Sequence, residues 1–238
     1  MKKNIFLLFH LIFSVSLFAQ ISLVSKKIFL DSLDRETTPE NYTYTRVITN
    51  YSQKSVRYVV TDFYKNGRKK MTGATLDRDV LKKDGEFIYY YKNGAKESVV
   101  NYSEDHKSGK EINWYENQSK KSEKQNLWDP KTKKSQTLIL NFWDENKNQT
   151  VVDGNGEYEE TEKFITQKGA LKDGLKQGVW QGNDAVRKTT FIDNYNLGIL
   201  ISGVSTDESN TKFSYSSLSE KQTGKKLQKT KIDYSLKN

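Results

Sequence analysis

The stretch DGEFIYYYKNGAKESVVNY, Asp84 to Tyr102, decides the fold that we expect of this chain. Phe87, Tyr89 and Tyr91 alternate with other residues, which places them on one face of an extended strand. The pair Asn93-Gly94 follows and predicts a type I′ turn, because both central positions of that turn need positive φ. The residues after the turn are again rich in strand formers. The stretch therefore predicts one antiparallel β-hairpin.

Degraded copies of this hairpin fill the middle of the chain. The turn sequence at 91–94 also occurs at 64–67, and a related one follows at 115–118. Further units open near 154–156 and 173–178, so the period is roughly 22 to 29 residues. One hairpin cannot bury a face alone, so the units must stack. We predict an all-β fold, an elongated, twisted antiparallel meander of β-hairpins with little or no helix. The predicted turn residues are Asn66, Gly67, Asn93, Gly94, Gly174 and Gly178.

The first 19 residues have the pattern of a secretory signal peptide. Lys2 and Lys3 precede an apolar run from 5 to 18, and Ala19 is a small residue at the cleavage position. The run is short of the about 20 residues that a membrane span needs, so we expect cleavage before Gln20 rather than an uncleaved anchor. We therefore expect an exported protein, in the periplasm, at the cell surface or secreted. Cleavage lowers the net charge from +9 to +7.

The remaining chain divides into three ranges. Residues 20–55 form an N-terminal extension in which we predict one strand, at 42–49. Residues 56–205 hold the hairpin repeats. Residues 206–238 are polar and are expected to be mostly disordered, with one weak strand near 212–216.

The composition excludes several classes of protein. The chain has no cysteine, so it has no disulfide, no thiol nucleophile and no lipid-modified cysteine. Its hydrophobic fraction is only 34%, whereas tyrosine is abundant at 14 residues. Such a balance is typical of thin sheets, in which each aromatic ring covers a large area while its polar tip reaches water.

The repeat pattern resembles the MORN-repeat variant family, often labelled YwqK-type antitoxin-component repeats, over about 56–205. The residues that match the family pattern are Gly85, Phe87, Tyr89, Tyr90, Asn93, Gly94, Asp173, Gly174, Gly178 and Trp180. The order of signal, strand and repeats is also similar to exported proteins of Bacteroidetes-type bacteria, some of which carry a TonB-like domain. The resemblance implies no catalytic residue and no cofactor.

We find no residues arranged for catalysis or metal binding. After cleavage His106 is the single histidine, and a zinc site there would need three carboxylates beside it. Oxygen ligands alternate at 153–157, but the spacing of a calcium-binding EF-hand is absent and two glycines favour a turn. Glu159 and Glu160 are adjacent and would point to opposite faces of a strand, so they cannot cooperate as acid and base. We expect no cofactor, no metal and no enzymatic activity.

The positive charge of the chain would suit two kinds of partner, nucleic acid and an anionic membrane surface. Basic residues interleaved with Tyr and Trp resemble a single-strand nucleic-acid surface, but export argues against it. The lysines are also spread along return strands, where they keep sheet edges soluble. Contact with an anionic membrane surface stays open, although no basic block exceeds three or four residues.

Counting back from the turns predicts what each face of the sheet carries. Phe87, Leu140, Tyr158 and Trp180 share one column, Tyr89 and Phe142 lie two residues on, and we assign all six to the core. Tyr90, Trp114 and Trp143 share the intervening column and point the other way. Either the N-terminal segment, the Trp128 loop or cross-strand packing covers them, or they form a ligand-binding face.

The function predicted from these features is a non-enzymatic, exported binding or scaffold module of the cell envelope, with a protein or an envelope glycan as its partner. A periplasmic accessory of a TonB-type transport system is an alternative that rests on family analogy. A carbohydrate-processing enzyme is a third. The oligomeric state is left open by the sequence.

Overall fold

The computed structural model describes residues 24–52, 54–218 and 221, and their strands form one antiparallel sheet of 16 strands. Each strand pairs with the next one in the chain, so the predicted all-β hairpin meander is confirmed. The strands are β1 Lys26–Leu30, β2 Tyr44–Ile48, β3 Tyr58–Tyr64, β4 Lys69–Thr75, β5 Gly85–Tyr90, β6 Lys96–Ser103, β7 His106–Trp114, β8 Lys120–Asp129, β9 Lys134–Trp143, β10 Gln149–Val152, β11 Asn155–Glu162, β12 Ile165–Lys172, β13 Leu175–Asp184, β14 Thr189–Asn196, β15 Ile199–Asp207 and β16 Lys212–Tyr215. Among the described residues, no helix is long and apolar enough to span a membrane.

The sheet continues beyond the predicted repeat range at both ends. The N-terminal extension contributes two strands, β1 and β2, whereas one was predicted. The prediction missed β1 because its five residues begin with two lysines and are too short to show an alternating pattern. At the other end β16 matches the short strand predicted near 212–216. The predicted signal peptide at 1–19, and the predicted tail after Leu218 apart from Lys221, lie outside the described residues.

The hairpin turn at Tyr91–Ala95 differs in type from the prediction. The Gly94 amide donates to the Tyr91 carbonyl at 2.9 Å, and the Tyr91 amide donates to the Ala95 carbonyl at 2.9 Å. Gly94 has a φ of +91°, but Asn93 does not have positive φ. The turn is therefore a three-residue loop of type I followed by a left-handed residue, and the type I′ prediction is wrong. The Asn93 side chain instead accepts a hydrogen bond from the Ala95 amide at 2.8 Å.

The same loop geometry recurs in four successive hairpins. The two backbone hydrogen bonds repeat in the turns that begin at Tyr64, Tyr115 and Asp144. Type I′ geometry is found instead at the opposite edge of the sheet, where Asp173 and Gly174 both have positive φ, 52° and 79°. The two kinds of turn thus lie on opposite edges of one meander.

Gly174 and Gly178 were both predicted as turn residues, and their environments differ. Gly174 lies in the β12–β13 turn, and its carbonyl accepts a hydrogen bond from the Ile139 amide of β9 at 3.0 Å. A Cβ on Gly174 would lie 2.9 Å from the Cβ of Leu138, so only glycine fits this approach. Gly178 lies inside β13, at an irregularity that adds two residues between Gln177 and Trp180, and the prediction of a turn there is wrong.

One face of the sheet, called here the inner face, holds the hydrophobic core. Its first cluster consists of Ile48, Tyr58, Val60, Met71 and Phe87. Its second cluster consists of Phe142, Val151, Tyr158, Leu171, Trp180, Tyr195, Leu200 and Tyr215. Four of the six predicted core residues are buried: Phe87, Phe142, Tyr158 and Trp180. Tyr89 is half-buried and packs against the first cluster.

Leu140 is the predicted core residue that the structure places differently. A bulge in β9 pairs Lys124 with Ile139 and Glu123 with Asn141, which leaves Leu140 as the extra residue. As a result Ile139, rather than Leu140, packs against the second cluster.

Polar side chains occupy the inner face between the two apolar clusters. Glu111 is buried and accepts hydrogen bonds from Lys107 and Asn126, both at 2.9 Å. Burial raises the pKa of the Glu111 carboxyl, but the nearby Lys107 ammonium and the hydrogen bonds outweigh it and hold that pKa below its usual range. The inner face is therefore held together by ion pairs as well as by apolar contacts, which fits the low hydrophobic content.

Candidate binding surface

The structure places Tyr90, Trp114 and Trp143 in equivalent positions of three successive hairpins. Each is the last residue of its strand, directly before the turn. Phe142 is buried on the inner face, so Trp143 next to it points to the other face, called here the outer face. All three aromatic side chains are half-buried.

Sequence reasoning missed four further members of this column. Phe63 likewise lies directly before the turn that begins at Tyr64, although β3 itself ends at Tyr64. The register partners of Phe63, Tyr90 and Trp114 are Lys69, Lys96 and Lys120 respectively. We call these four aromatic residues and three lysines the outer strip. Aligning the four turns would have found them, since each ring immediately precedes a turn and each lysine lies two residues after the left-handed position.

The lysines of the outer strip also link neighbouring hairpins. The Nζ atom of Lys96 lies 5.4 Å from the ring centroid of Trp114, and Lys120 Nζ lies 5.2 Å from that of Trp143. Each of these lysines therefore pairs in register with the ring of its own hairpin and contacts the ring of the next one. Such cation–π contacts contribute roughly 0.5–1 kcal/mol at exposed sites.

Among the described residues, two of the covers considered for these rings are not found. The N-terminal segment extends the sheet sideways as β1 and β2. Trp128 stacks on His106 with ring centroids 3.5 Å apart, near the opposite ends of β7 and β8 from the strip. His106 itself begins β7. Cross-strand packing, chiefly with the lysines, is the cover that the described residues provide.

A ladder of tyrosine hydroxyl groups fixes the backbone of the strip. Three hydrogen bonds run between successive hairpins, from Tyr64 Oη to the Tyr90 carbonyl at 2.7 Å, from Tyr91 Oη to the Trp114 carbonyl at 2.7 Å and from Tyr115 Oη to the Trp143 carbonyl at 2.8 Å. Burial, and then the nearby carboxylates, raise the pKa of both Tyr64 and Tyr115 to about 12. Each hydrogen bond of the ladder requires the protonated phenol, because a phenolate has no proton to donate.

A pocket opens beside the last ring of the strip. It has a volume of about 420 Å³ and is lined by Asn117, Gln118, Ser119, Lys120, Trp143 and Lys147. The two lysines are exposed; Lys120 begins β8, and Lys147 lies in the neighbouring turn between β9 and β10. We call this the Trp143 pocket.

A second depression lies on the outer face of β11 to β16. It is broad and open, with a volume of about 1030 Å³, and most of its lining residues are Thr, Ser, Asn, Gln and Gly. Val179 and Ile192 are exposed there, at 65% and 58%. It contains no member of the outer strip.

Neither a metal cluster nor a family match assigns a site to this chain. In the described ranges no group of three or more His, Cys, Asp or Glu side chains is placed to hold a metal ion. The fold and the outer strip define the class as an open antiparallel β-repeat protein with aromatic rings and lysines alternating across one face. No family model matches the chain, and no curated protein matches it.

Proposed function

We propose that this chain is a non-enzymatic, exported binding or scaffold protein of the cell envelope, and that the outer strip is its contact surface. Export rests on the signal-peptide pattern of the first 19 residues. Binding is supported by one observation, which is that Trp114 and Trp143 end equivalent strands, have their backbone carbonyls fixed by the tyrosine ladder and remain partly exposed.

The composition makes this placement informative. Only 34% of the residues are hydrophobic, yet Trp114 and Trp143 are left half-buried, each directly before a turn. Partly exposed aromatic rings in a row are typical of binding surfaces, where Trp, Tyr and Arg supply most of the energy. The protein or glycan partner expected from the sequence fits such a surface. The TonB-type and enzymatic alternatives have no such observation in their favour.

The proposal predicts that Trp114→Ala and Trp143→Ala each weaken capture of the envelope partner severalfold without unfolding the protein. Each ring is half-buried and its loss should cost only ~1 kcal/mol of stability. The chain from Gln20 onward would be immobilised and exposed to envelope extract, and thermal melting would be followed in parallel.

Ile192→Ala is the matched control, because it removes an exposed apolar side chain from the outer face away from the strip. Capture by this control should equal that of the parent. If both tryptophan variants melted several degrees early and bound normally per folded molecule, the strip would be a structural element and the proposal would be wrong.

A further inference from the structure

We propose that the Trp143 pocket binds an acidic sugar unit of an extended, carboxylate-bearing polysaccharide. The inference rests on the proposed function and names the chemical class of its ligand. Four observations support it: the aromatic ring, the charges and the polar groups of this pocket, and the repetition of a ring and a lysine along the outer strip.

The Trp143 ring supplies an apolar wall. The C–H groups on the flat face of a sugar are weakly apolar and pack against aromatic rings, while the hydroxyl groups at the rim stay free for hydrogen bonds. A volume of about 420 Å³ lies in the range of small-ligand sites, and such sites combine an aromatic wall with a few polar groups.

Two lysines supply positive charge at the pocket. Lys147 makes no ion pair with any residue in the described part of the chain. The Lys120 Nζ atom lies 2.6 Å from Oε1 of Glu123, which is half-buried, so this cation is partly neutralised. The Asp144 carboxylate of the same turn accepts hydrogen bonds from Asn148 and does not line the pocket. Glu116 and Glu145 belong to the same two turns but do not line the pocket, so the charged side chains of the lining itself are both lysines. A lining of this charge favours a carboxylate-bearing ligand over a neutral one.

Three side chains add hydrogen-bonding groups on one side of the ring. They are Asn117, Gln118 and Ser119, all in the turn before Lys120. Amide and hydroxyl groups of this kind suit the hydroxyl groups of a sugar. The pocket offers no free strand edge for backbone pairing, which an extended peptide would use.

The arrangement repeats one hairpin earlier, where Lys96 lies over the Trp114 ring. The two rings end β7 and β9, two strands apart, which corresponds to roughly 9.6 Å at ~4.8 Å per strand. That distance is comparable with the length of two linked sugar rings. A polymer with acidic units could therefore contact both rings, whereas a single sugar could use one.

The test uses oligogalacturonate of six units as the acidic probe and cellohexaose as the neutral one, with binding measured by calorimetry. The acidic probe should bind and the neutral one should not. Lys120→Glu with Lys147→Glu should weaken binding about tenfold or more, and added salt should weaken it in the parent. Trp143→Ala should also weaken binding of the acidic probe about tenfold or more, and Trp143→Phe should bind it more tightly than Trp143→Ala.

Lys131→Glu with Lys134→Glu is the matched control, because it makes the same charge change at the other edge, at one exposed lysine in the β8–β9 turn and one at the start of β9. This control should bind like the parent. The inference is overturned if the control loses as much affinity, if cellohexaose binds equally, or if polyglutamate or single-stranded oligothymidylate binds as tightly with the same dependence on Trp143.

The outcome separates this inference from the proposed function. If envelope capture depends on Trp114 and Trp143 but oligogalacturonate does not bind, the ligand class is wrong and the proposed function stands. If neither capture nor sugar binding depends on the two rings, both are wrong. The lysine variants change only exposed side chains, so they test the inference even if Trp143→Ala fails to fold.

Discussion

At the scale of single residues, the inner face depends on a buried ion pair. Arg46 and Asp62 face each other across β2 and β3, and the arginine Nε and Nη2 atoms donate to the two carboxylate oxygens, both at 2.8 Å. Asp62 is 2% exposed and Arg46 is 9% exposed. Such a pair recovers the cost of removing two charges from water only while both partners are present.

We therefore expect Asp62→Asn to destabilise the protein by ~3–5 kcal/mol, because it leaves the Arg46 charge buried and unpaired. The free energy of unfolding in urea would measure it. The double variant Arg46→Met with Asp62→Leu removes both charges and should be far less destabilised than the single one. If Asp62→Asn lowered the free energy of unfolding by less than ~1 kcal/mol, water would have to hydrogen-bond the Arg46 guanidinium in place of Asp62.

This pair shows where residue-level prediction stops. The alternation in the strand sequences identified Phe87, Phe142, Tyr158 and Trp180 as core, since each follows a period of two. It could not identify Arg46, because its partner lies 16 residues away on another strand and their contact depends on the register. Leu140 was misplaced for a related reason, since one extra residue in β9 changes which side chain faces inward.

At the scale of elements, the four equivalent hairpin turns differ in how well their sequence suits them. The left-handed position holds glycine at 67 and 94, but Gln118 and Lys147 occupy it with φ values of 67° and 68°. A side chain in this conformation costs ~1–2 kcal/mol relative to glycine. The later turns therefore carry strain that the earlier ones lack.

Gln118→Gly should accordingly raise the free energy of unfolding by about 0.5–1 kcal/mol, the strain relief being partly offset by the greater freedom of glycine in the unfolded chain. Gly94→Val should lower it by about 1–2 kcal/mol or more, since a β-branched residue is disfavoured at positive φ. Asn117→Gly, one residue before the left-handed position, is the control and should bring no gain. If Gln118→Gly behaved like this control, the turn geometry described above would be wrong.

The turns also show how far element-level prediction reaches. The dipeptide Asn93-Gly94 correctly located a hairpin turn, because glycine marks positive φ. It did not fix the loop length, which depends on the register of the strands that the loop joins. Phe63 and the lysines of the outer strip were missed for a different reason, because the four turns were not aligned on their left-handed position.

At the scale of the whole molecule, the tyrosine ladder connects four hairpins through three side-chain hydrogen bonds. Tyr64 and Tyr115 have pKa values raised to about 12, above the ordinary value of 10. A raised folded-state pKa means that the stabilisation is complete below pH 10 and is lost as the pH rises towards 12. We expect the free energy of unfolding to fall over this interval.

The measurement is urea unfolding at several pH values between 9 and 12, with phenolate absorbance recorded on the folded protein. Tyr64→Phe with Tyr115→Phe should be less stable than the parent near neutral pH and should lose less stability over the interval. Tyr42→Phe with Tyr51→Phe is the control, since it removes two other phenols outside the ladder. Parallel curves for the ladder variant and the parent would exclude the ladder as the source of the pH dependence.

The overall architecture was the part most accessible to sequence. Turn spacing and composition together predicted one all-β meander, and the structure has it from β1 to β16. The sequence also placed Tyr90, Trp114 and Trp143 in one column, because they keep a constant distance from their turns. The polar inner face was not predicted, because its buried charges are paired through contacts between residues of different strands.

An open meander also has a consequence for how such a molecule changes its size. Because β1 and β16 are not joined, no closing register has to be kept when the number of strands changes. Duplication of one hairpin unit would lengthen the array, and each unit built like those ending at Tyr90 or Trp114 would add one ring and one lysine. The number of contacts available to a polymeric ligand would then rise with the number of hairpin units. The avidity for that ligand would rise with it, without any new kind of contact.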